Sequence, residues 1–346
     1  MNHIERVKRA IEFNKPDFLP MELVDVPKIY NAYGTLDPEK VKFIPGTEDF
    51  DSAWATYHWT FEYSGKTEKG EVLRRDEWGC LQKVPLDENS TYVILENPLR
   101  GKNNLEDYKF PSPEITAPFF EKTEKTIKEN YADRFICGYI DPAAFLIAFN
   151  ILGYEHLFIK IAEDPEFVAK IVGSIFEYHH QLVAKWKKIG AHMVNLIDEF
   201  AGTSGMMFSP SLWRKYFKNF YQDLFKHIHQ EGMYTGILLD GDIKPILDDL
   251  LEMEIDVLQF AELHSVGMEA LQNRVKGKKC LKCMVDMKCV LATGTPEDVE
   301  KEARRMVGTL NTPQGGFICN VLRWYRPQYP EENVLSQVRT FNQYRR

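Results

Sequence analysis

Five apolar runs in this chain end at a carboxylate. Phe135–Tyr139 leads into Asp141, Met193–Ile197 into Asp198 and Glu199, and Tyr234–Leu239 into Asp240 and Asp242. Val257–Phe260 leads into Glu262, and Leu281–Val285 into Asp286. A ring of such acids would repel anionic substrates and suit a cation, a metal or a polarised neutral molecule. Glu262, Cys283 and an acid at Asp240 or Asp242 make the candidate metal set, since each lies at or near the end of a run. Zinc accepts thiolate sulfur and carboxylate oxygen, and a catalytic zinc keeps one position open. The competing reading makes Cys283 a buried core thiol and the acids helix caps, Asp240 or Asp242 before Lys244-Pro245 above all.

Asp198-Glu199 precedes Gly202-Thr-Ser-Gly205. Paired carboxylates before a flexible loop suit proton transfer or the binding of a substrate hydroxyl, particularly where burial raises one pKa. Asp198 could equally anchor the loop through its backbone amides. His264, two residues past Glu262, could be a general acid, an alternative ligand or a surface residue. Arg323, in Arg-Trp-Tyr-Arg326, could stack on an aromatic substrate, hold a small carboxylate or lie in a surface loop. The aromatic stretch Trp54–Trp59 could line the mouth of a site or form a satellite core. Cys280-Leu-Lys-Cys283 has no second pair at zinc-knuckle spacing, and Cys319 could join the cluster or simply pack. His179-His180, His227 and His229 fall in helical stretches with no distinguishing pattern.

The elements that must position these residues have a regular rhythm. Apolar runs of five to eight residues read as strands buried on both faces. Helix starts are marked by a cap followed by proline at Asp164-Pro165, Ser209-Pro210 and Thr295-Pro296. Strand-helix units at this spacing predict an α/β fold, a single (β/α)8 barrel over residues 1–346, with every strand's C-terminal end on one face. The segment at about 45–110 alternates polar and aromatic residues and reads as a loop and hairpin elaboration after the first strand. No glycine-rich phosphate turn follows an early strand, which disfavours a dinucleotide fold.

Composition narrows the partners. The formal charge of −8 argues against nucleic acid or an anionic membrane. No stretch approaches the roughly 20 apolar residues that span a bilayer, and the N-terminus lacks a signal-peptide apolar block. Six cysteines without a framework spacing fit a reducing compartment, so a cytoplasmic location is expected.

Several short motifs occur in an order that resembles the uroporphyrinogen decarboxylase-like superfamily. They are Arg6-Val-Lys-Arg-Ala10 with Pro16-Asp17, Asp164-Pro-Glu-Phe167, Ser209-Pro-Ser-Leu-Trp-Arg214, Gly241-Asp-Ile-Lys-Pro-Ile246, Gly294-Thr-Pro-Glu-Asp-Val299, Gly315-Gly-Phe-Ile318 and Pro330-Glu-Glu-Asn333. The resemblance implies a barrel with its site at the strand C-termini. True decarboxylases of the superfamily carry an Arg-Gln-Ala-Gly-Arg segment after the first strand; here Met21-Glu-Leu-Val-Asp-Val-Pro27 has no arginine. Thiol methyltransferases carry a His-x-Cys-Gly segment and a later Cys; here Leu238-Leu-Asp-Gly241 and Arg323 stand in those places. The ether-cleaving methyltransferase branch is similar in one spacing, a Glu separated from the next ligand by twenty intervening residues, as Glu262 is from Cys283.

The reading that results is a methyltransferase that moves a methyl group from a small donor, such as a methoxylated aromatic, to a corrinoid carried by a partner protein. Zn held by Asp240, Glu262 and Cys283 would activate the donor. Asp198, Glu199, His264 and Arg323 are the catalytic candidates. The alternatives are a metal-free lyase acting on a small carboxylated substrate, and a non-catalytic homologue that binds corrinoid proteins.

Overall fold

The computed structural model describes residues 1–24, 44–57, 61–84, 92–322 and 328–345. Eight parallel strands close into a barrel, each beside its neighbours in the chain. They are β1 (Met21–Val24), β2 (Ser52–Tyr57), β3 (Phe135–Ile140), β4 (Met193–Asp198), β5 (Tyr234–Leu239), β6 (Val257–Phe260), β7 (Cys280–Cys283) and β8 (Phe317–Leu322). β1 closes the ring by pairing with β8, Glu22 opposite Asn320. The expected α/β barrel is therefore the fold, and its strands are almost wholly buried because helices cover the outside.

Two boundaries depart from the sequence reading. The stretch containing Trp54 is a barrel strand, β2, paired with β3 from Ser52 opposite Phe135 to Tyr57 opposite Ile140. Its small residues Ala53 and Ala55 alternate with larger ones, a pattern that a surface hairpin also shows. The elaboration follows this second strand as a four-stranded antiparallel sheet, Phe61–Lys66, Val72–Asp76, Leu81–Val84 and Val93–Glu96. The seventh strand also stops earlier than Val285. Asp286 caps the next turn by accepting the amides of Lys288 and Cys289, which ends the extended conformation.

The proline-marked helices form where the caps place them. The side chains of Asp164, Ser209 and Thr295 accept amides from the first turns of the helices they precede, and Thr295 completes a reciprocal capping box with Asp298. No single helix among the described residues is long and apolar enough to cross a membrane. Ala144–Leu152 and Tyr154–Glu163 pass such a test only as a pair, which is bent by 100°.

Candidate active site

The barrel interior is polar at its centre. Lys282 of β7 lies 2.8 Å from the Glu22 carboxylate of β1 and 2.8 Å from the Tyr139 hydroxyl of β3. Tyr139 in turn donates to Gln259 of β6 at 2.6 Å, and its hydroxyl is 2.9 Å from Glu22. Asn320 and Ser52 also donate to Glu22, at 3.2 and 2.7 Å. Trp54 stacks flat on Tyr139, ring centroids 3.7 Å apart. Burial alone would drive the Lys282 proton off, but the neighbouring Cys137 sulfur first and the Glu22 carboxylate second outweigh it and raise its pKa above the ordinary value. Sequence reading missed this layer. Its signal was present: Asn195, Gln259, Lys282 and Asn320 each interrupt a run of apolar residues at a position that faces inward.

Above this layer come the strand-end acids, and most of them hold loops. Asp198 accepts the amides of Phe145 and Leu146, which begin the helix after β3, together with its neighbour Glu199 and the Tyr221 hydroxyl. Burial pushes its carboxyl up to about 6 in spite of these bonds. One Asp240 oxygen accepts the amides of Ala261 and Glu262, which follow β6, each at 3.0 Å. Asp286 accepts the His264 amide at 2.9 Å in addition to its own turn. Each acid thus ties the loop of an adjacent strand to its own. Asp242 does the same locally, capping the turn at Lys244 and pairing with the Lys244 ammonium. Between these loops Gly241, with φ of +83°, leaves no room for a side chain: a Cβ there would lie 2.3 Å from the Ala201 carbonyl oxygen.

Two acids keep their carboxylates toward the mouth. Glu262 pairs with the exposed Lys288 at 2.5 Å. Glu199 has its pKa raised by burial first and by the Glu262 charge second, with Lys288 opposing both. Asp240 joins this group electrostatically: burial, then Glu262 and Glu199, lift its carboxyl to about 6 against the pull of its amide bonds. The metal trio expected from the sequence is divided by the fold. Lys282 points inward, so its strand neighbour Cys283 points to the opposite face, beside its register partners Phe260 and Cys319. Burial raises the Cys283 thiol pKa well above its usual value, and that of Cys319 to about 12. Among the described residues, a group of three metal-ligating side chains with one donor atom each within 4.8 Å of the other two is formed by His264, Asp286 and Cys289. His264 belongs to this set, whereas Asp240, Glu262 and Cys283 do not. Arg323 and its aromatic neighbours, like His58 and Trp59, lie outside the described residues.

A cavity of about 730 Å³ opens beside the acids. Its floor is Ile197 and Glu199 at the end of β4 and Asp141 after β3. One wall comes from the helix Ala144–Leu152, through Phe149 and Asn150, and another from Ile94 of the antiparallel sheet and Tyr92 just before that strand. Asn97 fastens the two walls together by donating to the Asn150 carbonyl at 2.7 Å. Apolar and aromatic walls with a few polar groups suit a small organic ligand. Three of the described lining residues are acids, Asp141, Glu155 and Glu199, against a single arginine, Arg100.

The family described as uroporphyrinogen decarboxylase (URO-D) matches residues 78–344. Among solved structures, a methyltransferase from Methanosarcina mazei superposes with a TM-score of 0.74 at 14% identity, covering 100% of both chains. A B12-independent methionine synthase from Shewanella sp. W3-18-1 is more distant, with a TM-score of 0.48 at 10% identity over 96% of this chain and 95% of that one. At these identities the likeness is one of fold. No curated protein matches the chain.

Proposed function

The chain belongs to the uroporphyrinogen decarboxylase (URO-D) family, and from that premise we propose that it is a methyltransferase, which takes a methyl group from a small methoxylated aromatic donor and passes it to a corrinoid on a partner protein. The observation that carries this reading is the placement of Glu199. It lines the cavity, and burial first and the charge of Glu262 second favour its protonated form. Decarboxylation of a porphyrinogen asks for the opposite environment, because eight carboxylates need cations around them, and the described lining is acidic.

Loss of a methyl group from an ether leaves negative charge on the departing oxygen, and a positioned acid that neutralises this charge lowers the barrier. Glu199 is that acid. Tyr92, Phe149 and Ile94 provide walls for a planar ring. Asp198 is a positioning residue, since it fixes the start of the helix that carries Phe149. A reduced corrinoid, held by its own carrier, would supply the nucleophile that accepts the methyl group. Asp240, Glu262 and Cys283 do not fit the zinc expected of them, because Cys283 lies on the strand face opposite the inward-pointing Lys282. No step is assigned to a metal at those residues.

The test is a methyl-transfer assay with reduced free cobalamin and a panel of methoxylated aromatics. Methylcobalamin and the matching phenol should form together, and Glu199→Gln should slow the transfer by roughly 10²–10⁴-fold. Release of CO₂ from a carboxylated substrate without any corrinoid would overturn the proposal in favour of the lyase. Binding of a corrinoid protein with no turnover of any donor would overturn it in favour of the non-catalytic homologue.

A further inference from the structure

At the rim of the barrel, two successive strand-end loops bring together an imidazole, a carboxylate and a thiol. His264 follows β6, Asp286 follows β7, and Cys289 lies in the helical turn Met287–Leu291. One donor atom from each lies within 4.8 Å of the other two. We propose that His264, Asp286 and Cys289 form a binding site for a divalent transition metal of the zinc type.

Two features beyond proximity support the site. First, it is held in place before any ion arrives. The Asp286 carboxylate accepts the backbone amides of both other ligands, His264 at 2.9 Å and Cys289 at 2.8 Å. The three residues therefore cannot drift apart independently, and less ordering is required on binding. Second, His264 already has the partner that a metal-bound histidine needs. Its Nε2 lies 3.2 Å from Oε1 of Glu302, whose side chain is only 8% exposed. A carboxylate on one ring nitrogen fixes the imidazole and leaves the other nitrogen as the donor, the usual outer-shell arrangement around bound zinc.

The donor chemistry selects the ion. Thiolate with imidazole and one carboxylate favours zinc or cobalt over magnesium or calcium, which prefer oxygen alone. Asp286 uses three amide bonds and keeps acceptor capacity for an ion, since an ionised carboxylate has about four lone-pair sites. Three protein ligands leave a fourth tetrahedral position open. His264 and Cys289 are both exposed, so an ion can enter from solvent. Lys288, the residue before Cys289, pairs with Glu262 at 2.5 Å, which places this site beside the acids at the mouth.

Cobalt is the probe, because a tetrahedral Co²⁺–thiolate centre absorbs in the visible and near ultraviolet. The full chain, stripped with a chelator, is titrated with Co²⁺ and then with Zn²⁺. One equivalent of Co²⁺ should give both sets of bands, and Zn²⁺ should displace it. Cys289→Ala should abolish the sulfur charge-transfer band, and Glu302→Gln should weaken binding by about 10–100-fold. Cys283→Ala should bind as the native chain does. Circular dichroism of each variant checks that the fold is retained; the exposed positions of His264 and Cys289 favour this. A native chain that takes up no Co²⁺ or Zn²⁺ would overturn the site, as would a charge-transfer band that survives in Cys289→Ala and vanishes in Cys283→Ala. The readout is metal content and spectrum, so failure of methyl transfer would leave the site standing, and failure of the site would leave methyl transfer standing.

Discussion

Lys282 and Glu22 face each other across the barrel interior at 2.8 Å, with no more than 2% of either side chain exposed. A buried ion pair is a weak source of net stability, yet removing one partner strands the other charge without water. Lys282→Met is therefore expected to cost about 3–5 kcal/mol, read from urea unfolding. The double variant Glu22→Gln/Lys282→Met should recover part of that loss. A single variant within about 1 kcal/mol of the native chain would mean that the interior tolerates the unpaired carboxylate.

His179 is buried, neither ring nitrogen has a hydrogen-bond partner among the described residues, and burial depresses its pKa from 6.5 to about 3. The unfolded chain takes up this proton as pH falls below about 6.5, whereas the folded chain resists until near 3. The stability that depends on the neutral ring is thus complete above pH 6.5 and is lost progressively as pH falls through that window. His179→Phe, which suits the neighbouring Phe176 and Tyr178 rings, should remove the dependence. The gain at pH 5 should be about 2 kcal/mol relative to the gain at pH 8. Parallel stability curves for the two proteins between pH 4 and 8 would show that the ring is protonated in the folded state.

Asp198 bonds to the loop rather than to the cavity, so Asp198→Asn and Asp198→Ala should separate a supporting role from an acid-base one. The Phe145 and Leu146 amides bond to different oxygens, so asparagine keeps an acceptor for only one of them. Alanine leaves buried donors unpaired, at a cost of about 1–3 kcal/mol. Stability should fall in the order native, Asn, Ala, and donor binding should weaken in the same order. Native-like stability of Asp198→Ala with all activity lost would instead make Asp198 a catalytic acid.

The Glu199 proton is held by burial first, and two opposite charges, Glu262 and Lys288, then adjust its pKa. Because Glu199 must be protonated to donate, the transfer rate should fall as pH rises through its raised pKa. Glu262→Gln removes a repulsive charge, lowers that pKa and moves the falling limb to lower pH. Lys288→Ala removes an attractive charge and moves it to higher pH. The two variants should displace the pH profile in opposite directions; displacement in the same direction would assign the limb to another group.

Much of the architecture is legible in the chain itself. Runs of apolar residues four to six long predict β3 to β7, and proline behind a capping side chain predicts where the helices begin, because both signals depend on bonds made within a few residues. The same local logic fails at β2, where the alternation around Ala53 and Ala55 suits either a barrel strand or a surface hairpin. Sequence also locates the acids at the strand ends and shows that Lys282 and Cys283 must point to opposite faces of one strand. Which of the two faces inward, and which acids remain open to a ligand, only the folded chain decides. The Asp198 carboxylate meets an amide 53 residues away, and Asp240 and Asp286 meet amides 21 and 22 residues ahead or behind. A carboxylate becomes a ligand or a loop anchor according to the donors that adjacent strands bring to it, and closure of the barrel sets that adjacency.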